Sequence, residues 1–175
     1  MWWLEKRSVR IAALAALVAA LAACGFRPLY KDDGDREASA ELASVHISTI
    51  PDRSGQMLHN LLLDRVNPQG RPGDPRYVLD VKVSDTKASL GIIKDSSSTL
   101  AQIAIVANYT LLDLKTKSPL QSGRSRSVVS YNIVQSDFAT LASEKDARER
   151  GLREIAEDIA TKIAIFLSSR KDGKS

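Results

Sequence analysis

The sequence predicts an α/β (α+β) fold, a two-layer sandwich in which two helices cover one face of a four-stranded mixed sheet, in the order β-α-β-β-β-α. Three patterns point to this fold. Alternating apolar and polar residues indicate four strands, apolar residues at 3–4 spacing indicate two helices, and a proline-rich segment at 67–75 separates the first helix from the next strand. Because each helix has one apolar side, both pack on the sheet.

The first strand and the first helix precede the proline-rich segment. Ala43, Val45 and Ile47 alternate with polar residues, and this strand ends at Ile50–Pro51. A helix then begins, and its apolar positions recur at helical spacing. Three prolines in 67–75 end it, because proline cannot continue a helix. The apolar positions of this helix are Met57, Leu58, Leu61 and Leu62.

Three further strands follow and form an antiparallel meander. The second begins at Tyr77 and gives way to a polar stretch at 85–98, the third spans 100–114 and the fourth spans 120–134. A helical crossover joins the first strand to the second, so the first strand is parallel to a neighbour and the sheet is mixed. Polar residues of the third and fourth strands, Ser125 and Ser127 among them, are expected on the outer face.

The last element is the strongest helix, and its predicted apolar stripe is Leu141, Leu152, Ile155, Ile159, Ile163 and Phe166. Its outer side carries acid-first pairs four residues apart, each worth about 0.2–0.5 kcal/mol. These pairs are Glu144–Arg148, Asp146–Arg150, Glu149–Arg153 and Asp158–Lys162. Gly151 is predicted to be a mild flaw, costing about 1 kcal/mol relative to alanine.

The N-terminal residues have the pattern of a secretory signal. A net-positive segment precedes an apolar run from Ile11 to Ala20, and small residues lead to Cys24, the only cysteine. The 13 residues from Ile11 to Ala23 are fewer than the roughly 20 that span a bilayer. Leu-Ala-Ala-Cys resembles a bacterial lipobox. The resemblance implies that a diacylglycerol is attached to the sulfur of Cys24 and that its new amino group carries a fatty acyl chain, palmitate. An ordinary secretory signal would leave an unpaired thiol in an oxidising compartment.

These observations divide the chain into a lipoprotein signal peptide (1–23), a lipidated N-terminus and tether (24–40), a single domain (41–170) and a disordered tail (171–175). The whole chain has a formal net charge of +4. The signal peptide holds three basic residues and one acidic residue, so the mature chain has a net charge of +2. The charges are interspersed and aromatic residues make up 5%, which argues against nucleic-acid binding.

Residues that would support catalysis are missing from the sequence. It contains two histidines, His46 and His59, and no zinc-ligand spacing. It also has no G-x-S-x-G motif and no phosphate-binding glycine loop. We therefore predict a protein that is not an enzyme and has no cofactor and no metal.

The heptapeptide that begins at Cys24 carries a family resemblance. It continues as Gly25, Phe26, Arg27, Pro28, Leu29 and Tyr30, and it is similar to the start of the LPS-assembly lipoprotein (LptE) family, especially its α-proteobacterial members. The resemblance implies an outer-membrane lipoprotein on the periplasmic side that plugs and assists the assembly of the LptD β-barrel in lipopolysaccharide transport. Gly25 stands where an aspartate would suggest retention in the inner membrane.

Two groups of residues are candidates for contacts. Lipopolysaccharide carries phosphates, so Arg124 and Arg126, joined by Lys82, are candidate phosphate ligands on the open sheet face. An ordinary solvated strand face explains them as well. A predicted hairpin-tip loop from Lys87 to Lys94 is a candidate partner contact or lipid contact, and it can equally fold back on its own core. It places Leu90, Ile92 and Ile93 between the two lysines.

A second reading belongs to a different functional class. The chain could be a periplasmic accessory lipoprotein of an ABC-type lipid transporter that binds its ligand or a transporter subunit without entering a barrel. The Gly-Phe-Arg-Pro-Leu-Tyr start favours the barrel plug. A structural lipoprotein facing the cell wall fits less well, because the sequence has no long heptad stretch and no sugar-binding aromatic cluster.

Overall fold

One mixed sheet contains four strands, β1 (Val45–Ile47), β2 (Tyr77–Ile92), β3 (Thr99–Asp113) and β4 (Pro119–Ile133), and their spatial order follows the chain. The computed structural model describes residues 41–92 and 99–172. β1 is parallel to β2, and the other neighbouring strands are antiparallel. The predicted mixed sheet and fold class are confirmed. Helix α1 (Asp52–Val66) lies between β1 and β2 in the chain, and helix α2 (Asp137–Asp172) follows β4. Residues 41–43 are also helical.

Two contacts fix β1 beside β2 and α1: the ladder between the two strands, and a hydrogen bond from the end of α1 to the segment before β1. Val45 pairs with Tyr77 in the ladder. At the end of α1, the Asn67 side chain is buried and donates a hydrogen bond of 3.1 Å to the carbonyl oxygen of Ala43. The backbone N–H of Asn67 also donates to the carbonyl oxygen of Leu63. Asn67 therefore ends the helix and ties it to the segment that precedes β1.

β2 is longer than its sequence pattern predicts. The polar stretch that begins at residue 85 was expected to leave the sheet, but β2 continues through Ile92 and pairs with β3, Lys87 opposite Ile103 and Ser89 opposite Ala101. The side chains from Ser84 to Ser89 are all exposed, so this half of the strand has no apolar alternation to reveal it. Backbone pairing with β3 extends the strand instead.

The core lies between the helices and the inner sheet face. As predicted, the inner residues of β3 from Ile103 to Leu111 are at most 3% exposed. α2 covers them with a stripe whose members are at most 1% exposed: Leu152, Ile155, Ile159 and Ile163. Phe166 packs against this core while partly buried. Leu141 was expected in the same stripe but is 65% exposed, because α2 has no buried side chain before Ala147.

Gly151 is not the mild flaw that helix propensity predicts. It is buried where α2 packs on the sheet, and a Cβ atom there would lie 2.9 Å from Ile105 Cδ1 and 3.1 Å from Val129 Cγ2. The absence of a side chain therefore allows the helix to approach both β3 and β4. The four predicted acid-first pairs of α2 are all present as ion pairs.

Candidate functional site

The sheet face opposite the helices forms a long polar surface, here called the open face. It consists of alternate residues of the three long strands, the even-numbered positions of 78–88, 100–112 and 120–132. None of these side chains is buried among the residues described. Among the described residues, the open face is therefore a broad accessible surface for a ligand or partner.

Strand register brings the three predicted basic residues together on this face. Lys82 lies opposite Asn108, and Asn108 lies opposite Arg124. Lys82, Asn108 and Arg124 therefore form one row across the sheet. Arg126 follows in the next row, opposite Val106. Neighbouring strands are about 4.8 Å apart, so the Cα atoms of Lys82 and Arg124 are separated by about 10 Å. At this spacing, the side chains of Lys82, Arg124 and Arg126 are long enough to reach one phosphate-bearing group.

The electrostatic surroundings of these cations are favourable for an anion. All three basic side chains are exposed, and none takes part in an ion pair with another described residue. Asp80, two residues from Lys82, is the one carboxylate on the open face as described. Guanidinium groups present paired N–H donors that match phosphate oxygens. The arrangement can bind an anion, and the role of the three residues remains a prediction.

Two serines predicted on the outer face lie on the inner one. Ser125 and Ser127 are each 4% exposed under α2, and Ser127 Oγ donates a hydrogen bond of 2.6 Å to Glu154 Oε2. Burial acts to raise the pKa of Asp158, but hydrogen bonds from Lys162 and Ser125 outweigh it and lower the pKa below its ordinary value. These serines were misplaced because of their polarity, although strand alternation with Arg124 and Arg126 puts them on the inner face, and they belong to the helix–sheet contact.

The predicted hairpin-tip loop from Lys87 to Lys94 is wrong over most of its length, because most of these residues belong to a strand. Residues from Lys87 to Ile92 belong to β2, and Lys87 Nζ lies 2.5 Å from Glu144 Oε1 on α2. Leu90 falls in the register shift between Ser89 and Ile92, and Ile92 pairs with Thr99, although the side chains of Leu90 and Ile92 are not among those described. Ile93 and Lys94 lie outside the described residues. Lys87 is therefore tied to the helix, and any partner contact at the tip remains a prediction.

The pair Lys87–Glu144 belongs to a network that joins β2 to α2. Arg148 binds Glu144 at 2.9 Å and Asp85 at 3.4 Å. The hydrogen bond from Lys87, with a further one from Arg148, lowers the pKa of Glu144 below its ordinary value. Because its members are partly shielded from solvent, this network helps to hold the first half of α2 against the strand.

Sequence reasoning missed an apolar cluster at the start of α2. Phe138 is 83% exposed and Leu141 is 65% exposed. Beside them is a cleft of about 130 Å³ between the helices. Its lining residues are Arg53, Met57, Leu141, Lys145 and Arg148. The signal that could have revealed the exposure is the pair of charges, Lys145 and Arg148, that interrupt the predicted apolar stripe.

The lipobox and the heptapeptide lie outside the described residues, as do the signal peptide and the tether. Within 41–92 and 99–172, neither helix has the length and apolar composition to cross a bilayer. In the same part of the chain, no three histidine, cysteine or carboxylate side chains converge as metal ligands would.

Comparisons with known proteins agree with this architecture. A lipoprotein structure from Caulobacter crescentus CB15, provisionally described as such, superposes with a TM-score of 0.63 at 20% identity, covering 77% of this chain and 97% of its own. A minor lipoprotein from Acinetobacter baumannii superposes with a TM-score of 0.55 at 13% identity, covering 69% of this chain and 91% of its own. At these identities the likeness shows the fold. Comparison with curated protein sequences gives no match.

The fold and its open face define a two-layer α+β domain of the kind found in these lipoprotein structures. The sequence model of the LptE family, described as lipopolysaccharide-assembly, matches residues 42–167. Because this match covers well over half of the chain, the chain belongs to the LptE family. The family resemblance stated from the N-terminal heptapeptide is thereby confirmed from a separate part of the sequence.

Proposed function

We propose that this protein is a lipoprotein of the outer membrane that plugs an LptD-type β-barrel, assists the assembly of that barrel and takes part in lipopolysaccharide transport. The observation that carries the proposal is the LptE-family match over residues 42–167. The open face agrees with it, because the lumen of a membrane barrel is polar and a plug must present a polar surface to it. A lipid on Cys24 attaches the domain to the periplasmic side of the membrane through the tether at 24–40.

The group of Lys82, Arg124 and Arg126, which occupies two adjacent rows of the open face, is the proposed contact for lipopolysaccharide phosphates. The support is its register across the sheet, its exposure and the absence of ion-pair partners among the described residues. The protein acts by binding, without catalysis and without a cofactor. This part of the proposal stands on the lack of a catalytic motif in the sequence.

The barrel proposal is tested by gentle solubilisation of membranes that contain the full lipoprotein. We expect it to co-purify with a large outer-membrane barrel protein, and we expect its depletion to lower surface lipopolysaccharide. Replacing Pro28 and Tyr30 should weaken the association with the barrel. Recovery of the lipoprotein alone, or with subunits of an ABC-type transporter, would contradict the proposal and favour the accessory-lipoprotein reading.

The phosphate contact is tested with the double variant Arg124→Ala/Arg126→Ala. We expect weaker binding of purified lipopolysaccharide by the full-length protein, with the loss diminishing at high salt because the contact is electrostatic. Arg150→Ala/Arg153→Ala is the matched control, since it removes two exposed arginines from α2 on the other layer. Equal losses in the two double variants would indicate a net-charge effect and contradict a site on the open face.

The lipid anchor is tested separately by mass spectrometry of the N-terminal peptide. We expect a mature chain that begins at an acylated Cys24. Cys24→Ser should release the protein from the membrane while the domain stays folded. An unmodified thiol on a membrane-bound mature chain would contradict the anchor without bearing on the fold.

A further inference from the structure

The outer edge of β4 offers backbone groups to a partner. β4 is the last strand of the sheet, and no strand of the described residues pairs with its second edge. Lys162 Nζ donates to the carbonyl oxygen of Arg124 at 3.3 Å, which shows that Arg124 faces this edge. In an antiparallel pair, alternate residues direct both backbone groups to the same side. The even-numbered residues of β4 therefore present their N–H and C=O groups to the edge.

Hydrogen bonds at the other edge of the sheet, beside β1, lead independently to the same set of outward-facing residues in β4. The carbonyl oxygen of Leu79 accepts a hydrogen bond from the N–H of Ser48, beside β1, so Leu79 faces away from β3. Leu79 lies opposite Leu111, and Leu111 lies opposite Gln121. Leu111 must then face β4, so the odd-numbered Gln121 faces β3 and its even-numbered neighbours face outward.

Side chains of α2 close this edge at two points. At one point, Lys162 Nζ donates a hydrogen bond to the carbonyl oxygen of Arg124. At the other, Thr140 Oγ1 accepts a hydrogen bond of 3.0 Å from the N–H of Val134 and donates one of 3.1 Å to the carbonyl oxygen of Val134. The stretch between these caps is here called the edge window and comprises the outward-facing residues Arg126, Val128, Ser130 and Asn132. No hydrogen bond between described residues reaches their outward backbone groups.

The edge window lacks the proline and the bulge that commonly prevent strand addition, and its one charged side chain is Arg126. Edge strands are commonly blunted by proline, by a bulge or by an inward-pointing charge. The window contains no proline, and its register with β3 is regular over its whole length. Val128 in its centre is 46% exposed, so an apolar side chain is also available to a neighbouring strand.

A second copy of this chain is a poor occupant. α2 packs more extensively on β4 than on β3, so it lies nearly beneath the edge strand. Two copies paired edge to edge would bring their α2 helices closer than about 10 Å, at or below the spacing of packed helices. The side of α2 near this edge also carries Glu154, which binds Ser127, and the copies would place these carboxylates near one another. An extended segment with no helix beneath it meets neither obstacle.

The charges beside the window specify the chemistry of the occupant. Arg124 and Arg126 project on the open face, where side chains of an added strand would lie directly opposite them. Opposite charges at such positions stabilise strand pairing and like charges oppose it. We propose that the edge window of β4 binds an extended acidic segment of another protein by strand addition, with its carboxylates facing Arg124 and Arg126. This interaction does not depend on the barrel partner proposed above.

Hydrogen exchange at single-amide resolution tests the proposal on the full-length protein in detergent micelles. The probe is the peptide (Thr-Glu)4, and (Thr-Lys)4 is the control of opposite charge. Without peptide, the amides of the edge window should exchange much faster than their odd-numbered neighbours in the β3–β4 ladder. We expect (Thr-Glu)4 to slow exchange at Val128, Ser130 and Asn132, and (Thr-Lys)4 to leave it unchanged.

Two variants separate backbone pairing from simple charge attraction. Ser130→Pro removes one outward N–H without touching the β3–β4 ladder, an edge position that tolerates proline. It should weaken binding of (Thr-Glu)4 about tenfold, equivalent to about 1.4 kcal/mol. Ser130→Ala keeps the N–H and should bind like the parent. Arg124→Glu/Arg126→Glu should exchange the preference to (Thr-Lys)4, and this double variant keeps the test decisive if the proline variant does not fold.

Several results would overturn the proposal. Protection of the window without peptide, independent of protein concentration, would show that a segment of the same chain covers the edge. Protection that grows with protein concentration would show self-association instead. Equal protection by both peptides, or none by either, would show that the edge is not a binding site for an acidic strand.

Discussion

Replacing Gly151 by alanine tests whether close helix–sheet approach or helix propensity governs this position. Propensity alone predicts that Gly151→Ala stabilises the protein by about 1 kcal/mol. The structure opposes this, because the new Cβ would lie 2.9 Å from Ile105 Cδ1, 3.1 Å from Val129 Cγ2 and 3.2 Å from Ser127 Oγ. Favourable contacts between carbon atoms lie at about 3.5–4.0 Å. The neighbours would therefore have to move by several tenths of an ångström.

These neighbours have little room to move. Ile105 is 0% exposed and Ser127 is 4% exposed, and both sit on strands paired along their length. Overpacking of such a site costs about 1–3 kcal/mol. After the gain in propensity is subtracted, we expect Gly151→Ala to be about 1 kcal/mol less stable than the parent. Urea unfolding followed by circular dichroism measures this difference.

The matched background is Ile105→Val, which removes the methyl group nearest to the new Cβ. This change alone should cost about 0.5–1.5 kcal/mol. In the Val background, Gly151→Ala should lose at least about 0.5 kcal/mol less stability than in the parent, a coupling typical of residues in contact. If Gly151→Ala stabilises the protein equally in both backgrounds, the glycine is a simple flaw and the packing argument is wrong.

Two further changes test the charge network and the sheet. The pKa of Glu144 lies below its ordinary value of 4.5, chiefly because Lys87 donates a hydrogen bond to it. Its stabilisation is therefore present above about pH 4.5 and is lost as the pH falls through the folded-state pKa. The difference in unfolding free energy between the parent and Glu144→Gln should shrink as urea titrations move from pH 7 to pH 3, and a constant difference would contradict the assignment. A Cβ at Gly123 would lie 2.5 Å from Oη of the buried Tyr109, so Gly123→Ala should cost about 1–3 kcal/mol in the same assay, and an unchanged stability would contradict the close contact.

The core could be predicted from the sequence because its signal is local. Apolar residues alternate along β3 and recur at 3–4 spacing in α2, and both patterns mark the faces that the structure buries. The ion pairs of α2 follow from spacing in the same way, since residues four apart in a helix are neighbours whatever surrounds them. The family could also be recognised, because the heptapeptide at Cys24 and the match over 42–167 lie in separate parts of the chain.

Elements without a local signal were misjudged. Residues 84–89 of β2 have exposed side chains on both faces, so only their pairing with β3 shows that they form a strand. Ser125 and Ser127 lie on the inner face without the apolar character that would mark it. Leu141 has the spacing of a core residue, but the first turns of α2 extend past the packed area. In each case, whether a residue was paired, buried or exposed depended on which other helix or strand packed against it.

The sequence by itself determined the order of the elements and the buried face of each element wherever apolar residues alternate or recur at 3–4 spacing, because these follow from dihedral preferences and from the periods of helix and strand. Tertiary structure alone decided how far the sheet extends, why α2 needs Gly151 and how Lys82, Arg124 and Arg126 come into adjacent rows. Register, close approach and edge exposure are relations between distant segments. Their free energies arise only when those segments meet, and no single stretch of chain records them.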